Sequence, residues 1–329
     1  MNDGKEAVVN KGSNGGSNEL DDPDLFDWQL PKDEPISTFR EIWAYVIDGQ
    51  EAALKPGLPV TDIGYFAADV NILGELTGVP KRKKLSAFPG RVHLVAKCDG
   101  RALSHYVLVP GSADRKALVS GLLAAAKDFD GLQIDFENIP KMDEAVFLSF
   151  LAELRVGLGN KVFSIALPAR TKKIDNDQYD YENIKPLVDR ILVMAYDEHW
   201  SGSRPGPVAS MPWCKRVGDY ALSVIGEEKL IMGLPFYGRA WGDSNPSRAL
   251  INPRIEEIIK EKPCIEIRRD NGVPFFTYTV PVSVRLYYED AYSLSARMQM
   301  YKSMGVSAIG FWRLGQETQA VWNFLRLGN

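Results

Sequence analysis

The segment Asp130-Gly-Leu-Gln-Ile-Asp-Phe-Glu-Asn138 alternates polar and apolar residues. Such alternation is typical of a β-strand, whose successive side chains point to opposite faces. Gln133, Asp135 and Glu137 therefore share one face, and large apolar side chains occupy the other. Because an apolar helix layer is expected to cover the apolar face, the polar face points to the inside of a closed sheet. This strand predicts a barrel that carries polar groups in its interior.

Seven other β-rich runs lie before and after this strand. The eight predicted strands are Ile42–Ile47, Ile63–Asn71, Arg91–Cys98, Gly131–Glu137, Val162–Pro168, Ile191–Tyr196, Leu230–Pro235 and Val306–Trp312. Most of these runs are continuously apolar, which is typical of strands that are covered on both sides.

Helical patterns separate several of the predicted strands. Ser112 can cap a helix that has Asp114 in its first turn, and apolar stripes at helical spacing run over 146–158, 217–224 and 292–304. Alternating strands and helices form parallel βαβ units, and eight strands predict an α/β fold, a closed (β/α)8 TIM barrel. A doubly wound sheet is the alternative, but no Gly-x-Gly-x-x-Gly turn follows an early strand.

The predicted domain organisation is a tail followed by one barrel. Residues 1–35 are rich in Gly, Ser, Asn and acidic residues and predict a flexible N-terminal tail. Residues 36–329 are predicted to form the barrel domain. Residues 242–286 contain their own β-rich run, Phe275-Phe-Thr-Tyr-Thr279, and predict a small α+β insertion after strand seven. Such an insertion would form a wall of the active-site face.

Composition narrows the classes of partner. Lys and Arg number 39 and Asp and Glu 43, a net charge of −4 that argues against a nucleic-acid partner. The basic run Lys81-Arg-Lys-Lys84 is interpreted as a solvated loop. No apolar run approaches the roughly 18 residues of a membrane span, and no signal peptide is visible. We expect a monomer.

The cysteines and histidines do not predict a metal site. These residues are Cys98, Cys214, Cys264, His93, His105 and His199. None of the cysteines forms a Cys-x-x-Cys pair, and the histidines do not have the spacing of a zinc protease. The three cysteines are interpreted as buried free thiols. We therefore expect neither a metal nor a cofactor.

The two carboxyl groups of strand four are candidates for acid–base chemistry. Asp135 and Glu137 would lie about 6 to 7 Å apart along the strand. When desolvated they cannot both ionise cheaply, so one is expected to keep its proton, as a general acid near neutral pH must. Glu137 ends the strand at the C-terminal mouth, where barrel enzymes carry out their chemistry. The alternative is a carboxylate network that only holds the barrel together.

The same segment resembles the Asp-x-x-Asp-x-Asp-x-Glu signature of glycoside hydrolase family 18, the chitinase and N-acetylglucosaminidase family. Gln133 replaces the middle Asp of that signature. Three later strands also resemble the family, and their motifs are Met194-Ala-Tyr-Asp197, Gly233-Leu-Pro-Phe-Tyr-Gly-Arg239 and Gly310-Phe-Trp-Arg-Leu-Gly315. The Ser-x-Gly-Gly motif of many chitinases is missing from strand three, where Lys97-Cys-Asp-Gly100 stands.

A subgroup of the family is the most similar. The segments Asp197-Glu-His-Trp200, Arg204-Pro-Gly-Pro-Val-Ala209 and Pro212-Trp213 resemble the bacterial spore-cortex-lytic and spore-germination branch. In that branch the middle Asp is commonly an amide, which agrees with Gln133. The resemblance therefore implies a substrate of the peptidoglycan type, cleaved beside N-acetylglucosamine.

The resemblance also implies a mechanism, retaining and substrate-assisted, without a protein nucleophile. Glu137 would protonate the glycosidic oxygen while the 2-acetamido carbonyl of the substrate attacks the anomeric carbon. Asp135 would orient the acetamido nitrogen, and Tyr196 would hydrogen-bond the acetamido oxygen. The implied substrate-binding residues are Gln133, Met194, Asp197, Trp312, Tyr45, Tyr237 and His199. Trp312 would form the apolar floor beneath the sugar.

Several alternatives remain open at this point. Tyr45 and Tyr237 could be ordinary barrel packing, and His199 could anchor its own loop rather than line the sugar groove. The protein could be a chitinase or chito-oligosaccharide hydrolase, a non-catalytic lectin-like barrel, or a structural coat or envelope protein. Because its expected partner is an N-acetylglucosamine-containing polysaccharide, we expect an exported protein in the cell envelope, outside the cell or on the spore.

Overall fold

The computed structural model describes residues 36–242, 247–262, 266–280 and 282–328. Within these residues, eight parallel strands close a barrel. They are β1 (Glu41–Ile47), β2 (Asp62–Val70), β3 (Arg91–Asp99), β4 (Gly131–Glu137), β5 (Val162–Pro168), β6 (Arg190–Met194), β7 (Leu230–Pro235) and β8 (Ala308–Trp312). Each strand is hydrogen-bonded to the next, and β8 pairs with β1. The predicted (β/α)8 barrel is confirmed; the predicted tail and Cys264 lie outside the described residues.

Helices connect and cover the strands. They are α1 (Arg101–Leu108), α2 (Ala113–Ala125), α3 (Glu144–Leu158), α4 (Tyr181–Ile184), α5 (Met211–Ile225), α6 (Asn252–Glu261) and α7 (Ala291–Ser303). The expected cap is present, because the Ser112 hydroxyl accepts a hydrogen bond from the Arg115 backbone N–H at 3.1 Å. Short 3₁₀ turns lie at Glu51–Ala53, Arg82–Leu85, Ala126–Asp128, Lys141–Asp143, Lys185–Leu187 and Gln319–Phe324.

The apolar core lies between the barrel and the helices. On α3, apolar side chains at helical spacing are buried against the outer face of β4 and its neighbours. Phe150 stacks on Phe136 of β4 with ring centroids 5.5 Å apart. Burial of a large apolar side chain contributes roughly 1.5–3 kcal/mol, so this layer holds β4 with its apolar face outward. The polar face of β4 is thereby directed into the barrel.

A second sheet follows β7. Its five antiparallel strands are Tyr237–Gly242, Arg248–Ile251, Arg268–Asp270, Val273–Val280 and Val282–Tyr287. Helix α6 packs on this sheet through a small separate core that includes Ile255 and Phe276. The expected insertion, 242–286, lies within this unit, whose first strand already begins at Tyr237. The sheet therefore rises from the C-terminal end of β7, beside the mouth of the barrel.

Two short strand pairs complete the described structure. Ser37–Phe39 pairs in parallel with Leu325–Leu327, and Leu76–Thr77 pairs with the end of β2. Among the described helices, none is long and apolar enough to cross a membrane.

Candidate active site

The polar face of β4 lies where the alternation predicts. Gln133 is fully buried, Asp135 is 9% exposed, and Glu137 is exposed at the mouth of the barrel. Leu132 and Ile134 of the opposite face belong to the helix-covered core. The three polar side chains therefore form a row from the barrel interior to the solvent, with Glu137 outermost.

The pKa of each carboxyl group lies above its usual value. Burial, followed by the charge of Glu137, raises the pKa of Asp135 to about 7, against the opposing charge of Lys97. Burial, followed by the charges of Asp99 and Asp197, raises the pKa of Glu137. Oδ1 of Asp135 is buried and has no hydrogen-bond partner among the described residues. The pair can thus hold and release a proton near neutral pH.

Strand β3 contributes two charged side chains that the sequence analysis missed as site residues. In the parallel register, Lys97 lies opposite Asp135, and Asp99 lies opposite Glu137. Lys97 Nζ is 2.9 Å from Asp69 Oδ2, and the Asn138 amide donates to Asp99 Oδ1 at 2.9 Å. The same alternation that places Asp135 inside the barrel could have found Lys97 and Asp99, because both share the inward face of β3.

The floor of the site is a hydrogen-bonded and aromatic layer. The Tyr45 hydroxyl donates to Gln133 Oε1, and Gln133 Nε2 donates to Ser164 Oγ at 3.2 Å. These two bonds determine the orientation of the amide. Trp312 packs against Tyr45, with ring centroids 5.2 Å apart, and against Phe66 at 4.9 Å. Tyr45 therefore lies beside Gln133 and Trp312, and it also belongs to the apolar cluster inside the barrel.

A glycine makes room for this layer. At Gly64 of β2, an added Cβ would lie 2.6 Å from the ring of Tyr45. A side chain there would push the tyrosine ring away from its place beside Gln133. The close approach of ring and backbone is possible only because glycine has no Cβ.

Strand β6 ends earlier than predicted, at Met194 instead of Tyr196. Tyr196 and Asp197 therefore lie on the following loop. Asp197 has φ = 58°, a left-handed conformation that is uncommon for a residue with a side chain. Its Oδ1 accepts hydrogen bonds from the Tyr237 hydroxyl at 2.7 Å and from Arg239 Nη2 at 3.2 Å. The antiparallel sheet thereby anchors Asp197, and Arg239 is a further residue that the sequence analysis missed.

The other two predicted site residues have different surroundings. Met194 is half-buried and packs on the apolar cluster inside the barrel. His199 Nδ1 donates to the backbone carbonyl of Pro207 at 2.8 Å, within its own loop. This contact agrees with the loop-anchor alternative for His199.

A cavity of about 250 Å³ opens beside Glu137. We call it the side pocket. It lies against the ends of β4, β5 and β6, and its lining includes the polar residues Arg101, Glu137, Asn138, Arg170, Gln178 and Tyr179. Ala166 and Met194 line the side pocket and also pack on the apolar cluster inside the barrel, so the pocket adjoins the barrel interior.

The described residues contain no group of three or more His, Cys, Asp or Glu side chains that could hold a metal ion. Cys98 and Cys214 are buried free thiols, as expected. Burial raises the pKa of each to about 12, so neither is a reactive thiolate at neutral pH.

The chain is similar to a known protein family and to several of its members. The model of glycosyl hydrolases family 18 matches residues 100–317. Two Bacillus subtilis proteins named as glycosylases, YdhD and YvbX, are 33% and 28% identical over 225 and 227 residues. The matches cover 64% and 65% of this chain and 53% and 66% of those proteins, so the chain spans about half to two thirds of their length.

A third relative and two solved structures match more of the chain. The cortical fragment-lytic enzyme of Bacillus subtilis is 24% identical over 300 residues, covering 84% of this chain and 69% of that protein. The Bacillus cereus spore cortex-lytic enzyme SleL superposes with a TM-score of 0.78 at 20% identity, covering 89% of this chain and 76% of that chain. A chitinase from Chromobacterium violaceum superposes with a TM-score of 0.76 at 22% identity, covering 87% and 97%. These two superpositions support the fold.

Proposed function

This chain belongs to glycosyl hydrolases family 18, and from that premise we propose that it hydrolyses glycosidic bonds beside N-acetylglucosamine in a peptidoglycan-type glycan. The observation that carries the proposal is the row on β4, where a desolvated Asp135 lies behind Glu137 at the mouth of the barrel. The similarity to the cortical fragment-lytic enzyme favours peptidoglycan over chitin.

In the proposed reaction, Glu137 is the general acid. It donates its proton to the glycosidic oxygen as the bond from that oxygen to the anomeric carbon breaks. The 2-acetamido carbonyl oxygen of the same sugar forms the new bond to that carbon, which gives an oxazolinium ion and releases the leaving sugar. Glu137, now a carboxylate, takes a proton from the water that opens this ring, so the product retains its configuration. The raised pKa of Glu137 suits the first step, because it keeps the proton available.

Asp135 and Tyr196 would hold the acetamido group. Oδ1 of Asp135 has no hydrogen-bond partner among the described residues, so it is free to accept the acetamido N–H. When ionised, Asp135 would also stabilise the positive charge of the oxazolinium ion. The Tyr196 hydroxyl would donate to the acetamido oxygen. Such a site rejects sugars without the acetamido group, because its buried polar atoms would stay unpaired.

The remaining predicted residues would form the walls and floor. Trp312 would lie beneath the sugar ring, supported by Tyr45 and Phe66. Asp197 and Tyr237 form a hydrogen-bonded wall on the side of the antiparallel sheet. Gln133 would act indirectly, through Tyr45. Met194 would border the sugar, and we assign His199 to its loop.

The proposed partner, an N-acetylglucosamine-containing polysaccharide, also bears on location. Peptidoglycan lies outside the cytoplasm, so we propose that the protein works in the cell envelope, outside the cell or on the spore. The proposal needs no membrane span, and it takes the protein to act as a monomer.

The test compares wild-type protein with Glu137→Gln on peptidoglycan and on chitin oligosaccharides, with new reducing ends identified by mass spectrometry. We expect peptidoglycan products that end in N-acetylglucosamine, and a loss of about 10³-fold in rate with Glu137→Gln. Glu228→Gln is the matched control, because that exposed residue precedes β7 at the opposite end of the barrel.

Two results would contradict the proposal. Cleavage of chitin oligosaccharides alone would replace the substrate class with chitin. Binding of the glycans without cleavage would indicate a lectin-like barrel, and the role assigned to Glu137 would then be wrong.

A further inference from the structure

Three charged side chains form a row across neighbouring strands near the mouth of the barrel. Asp69 of β2 is the register partner of Lys97 on β3, and Lys97 is the register partner of Asp135 on β4. Register partners on neighbouring parallel strands point to the same face, and the strands lie about 4.8 Å apart. All three side chains therefore face the barrel interior, and Lys97 is a cation placed between two carboxyl groups.

The two carboxyl groups of this row differ in their partners. Asp69 Oδ2 lies 2.9 Å from Lys97 Nζ, and both of these side chains are partly exposed. Asp135 is 9% exposed, and its Oδ1 is buried without a hydrogen-bond partner among the described residues. The lysine is thus paired with the carboxylate that water can also solvate, whereas the buried carboxyl oxygen has no donor.

This resting arrangement favours a protonated Asp135, but the proposed reaction needs the residue ionised when the oxazolinium ion forms. Burial raises the pKa of Asp135 to about 7, and the charge of Lys97 opposes that rise. Gln133, the next inward-facing residue of β4, is hydrogen-bonded to Tyr45 and Ser164 and cannot exchange a proton with Asp135. A compensating positive charge is therefore available from Lys97 on the neighbouring strand.

The other titratable groups around Asp135 are acids and cannot supply this charge. They are Glu137 on β4, Asp99 on β3, Tyr45 on β1, Tyr179 after β5 and Tyr196 after β6. Arg239 is a cation on the antiparallel sheet, but its Nη2 already donates to Asp197.

We propose that Lys97 is a movable counter-ion, which leaves Asp69 and pairs with Asp135 when Asp135 ionises during the reaction. The inference rests on the proposed function and adds Lys97 and Asp69 to it as positioning residues. In this step Asp135 loses its proton to solvent water, and no covalent bond to Lys97 forms. A lysine is suited to such a movement, because its ammonium group is carried on a flexible four-carbon stem. An opposite charge within about 4–6 Å favours the ionised form of a carboxyl group.

The test measures the acid limb of the pH–rate profile on peptidoglycan, where the rate falls as Asp135 takes up a proton. Lys97→Met should move this limb to higher pH by about one pH unit, because the ionised Asp135 loses its counter-ion. Lys97→Arg keeps a cation and should restore most of the wild-type profile. Lys215→Met is the matched control, because Lys215 pairs with Asp219 at 2.8 Å on the exposed surface of α5. Its acid limb should coincide with that of wild type.

Asp69→Asn tests the movement itself. This change releases the ammonium group from its resting partner, so the acid limb should move to lower pH. In a Lys97→Met background the same change should have little effect, since Asp69 then has no ammonium group to hold. Shifts of equal size in both backgrounds would show that Asp69 acts on Asp135 through its own charge, and they would overturn the movable counter-ion.

Two further outcomes separate this inference from the proposed function. An acid limb of Lys97→Met that coincides with that of wild type would overturn the inference and leave the proposed hydrolysis intact. If wild-type protein cleaves neither peptidoglycan nor chitin oligosaccharides, the proposed function fails, and the part assigned to Lys97 fails with it.

Discussion

Acidic side chains are buried at both ends of this barrel, but the two ends supply them with very different partners. At the N-terminal end, Asp62 accepts two hydrogen bonds from Arg91, at 2.7 and 3.0 Å, and lies 2.7 Å from His93 Nε2. Glu41 at the same end accepts hydrogen bonds from Arg190. At the C-terminal end, one oxygen of Asp135 has no hydrogen-bond partner among the described residues.

The pKa values move in opposite directions as a result. Burial pushes the pKa of Asp62 upward, but hydrogen bonds from His93 and Arg91 outweigh it and hold this pKa below its usual value. Burial also dominates at Asp135, where only the charge of Lys97 opposes it, and the pKa rises to about 7. The same residue type is a fixed anion at one end and a proton carrier at the other. The supply of donors, more than burial itself, makes this difference.

The largest expected effect is a gain in stability from Asp135→Asn at high pH. The folded-state pKa of Asp135, about 7, lies above the value of 3.8 expected for an aspartate in the unfolded chain, so folding favours the protonated acid. Its stabilising effect is complete below pH 3.8 and is lost as the pH rises through 7. Urea unfolding should show little difference between Asp135→Asn and wild type at pH 4, and a variant more stable by about 4 kcal/mol at pH 8. A difference that does not change with pH would remove the contrast between the two ends.

The next effect is the loss of stability from Asp62→Asn. This change leaves Arg91 and His93 without their carboxylate, and breaking a buried pair costs about 3 kcal/mol. Because the pKa of Asp62 is lowered, its stabilising effect is present above the usual Asp pKa and is lost as the pH falls. The penalty, measured by urea unfolding, should therefore shrink in acid, opposite to the trend at Asp135.

Asp219→Asn is the matched control for the N-terminal network. Asp219 pairs with Lys215 at 2.8 Å on the exposed surface of α5. An exposed pair contributes between 0 and about 1 kcal/mol, so this change should barely alter unfolding. If Asp62→Asn were equally harmless, the N-terminal network would not be a structural ion-pair cluster.

A smaller effect is expected from the two charged residues of β3, which should shift the pH–rate profile in opposite directions. The rate falls with rising pH as Glu137 loses its proton. Asp99→Asn removes a charge that raises the pKa of Glu137, so the alkaline limb should move to lower pH. Lys97→Met removes a charge that lowers the pKa of Glu137, so the alkaline limb should move to higher pH. The change in rate at a fixed pH should stay below about tenfold. Two shifts of the same sign would contradict the assignment.

The smallest effect is expected from Gln133→Asp. The amide of Gln133 makes hydrogen bonds to Tyr45 and Ser164 but cannot titrate. We therefore expect the wild-type activity to span a narrow pH range, with its acid-side loss governed by Asp135. An aspartate at position 133 could share a proton with Asp135 and widen the range. Identical pH–rate profiles for the two proteins would show that this position does not affect titration.

Local patterns were enough to predict the strands, and they were less reliable at strand ends. The eight predicted strands are all present, because each apolar run between helical patterns marks its own strand. Strand β6 ends at Met194, two residues before its predicted end at Tyr196. In the loop that follows, Asp197 adopts a left-handed backbone conformation. Tyr237 and Arg239 donate hydrogen bonds to its side chain. Those donors belong to a distant sheet, so no local pattern could reveal them.

The sequence by itself determined that Gln133, Asp135 and Glu137 share one face of one strand. That follows from the two-residue period of a β-strand, which any isolated segment shows. Only the tertiary structure decided which charges surround them. The register of β3 on β4 places Lys97 opposite Asp135 and Asp99 opposite Glu137. A pKa depends on charges and solvent within a few ångströms, and these come from residues far apart in the chain, so only the closed barrel defines them.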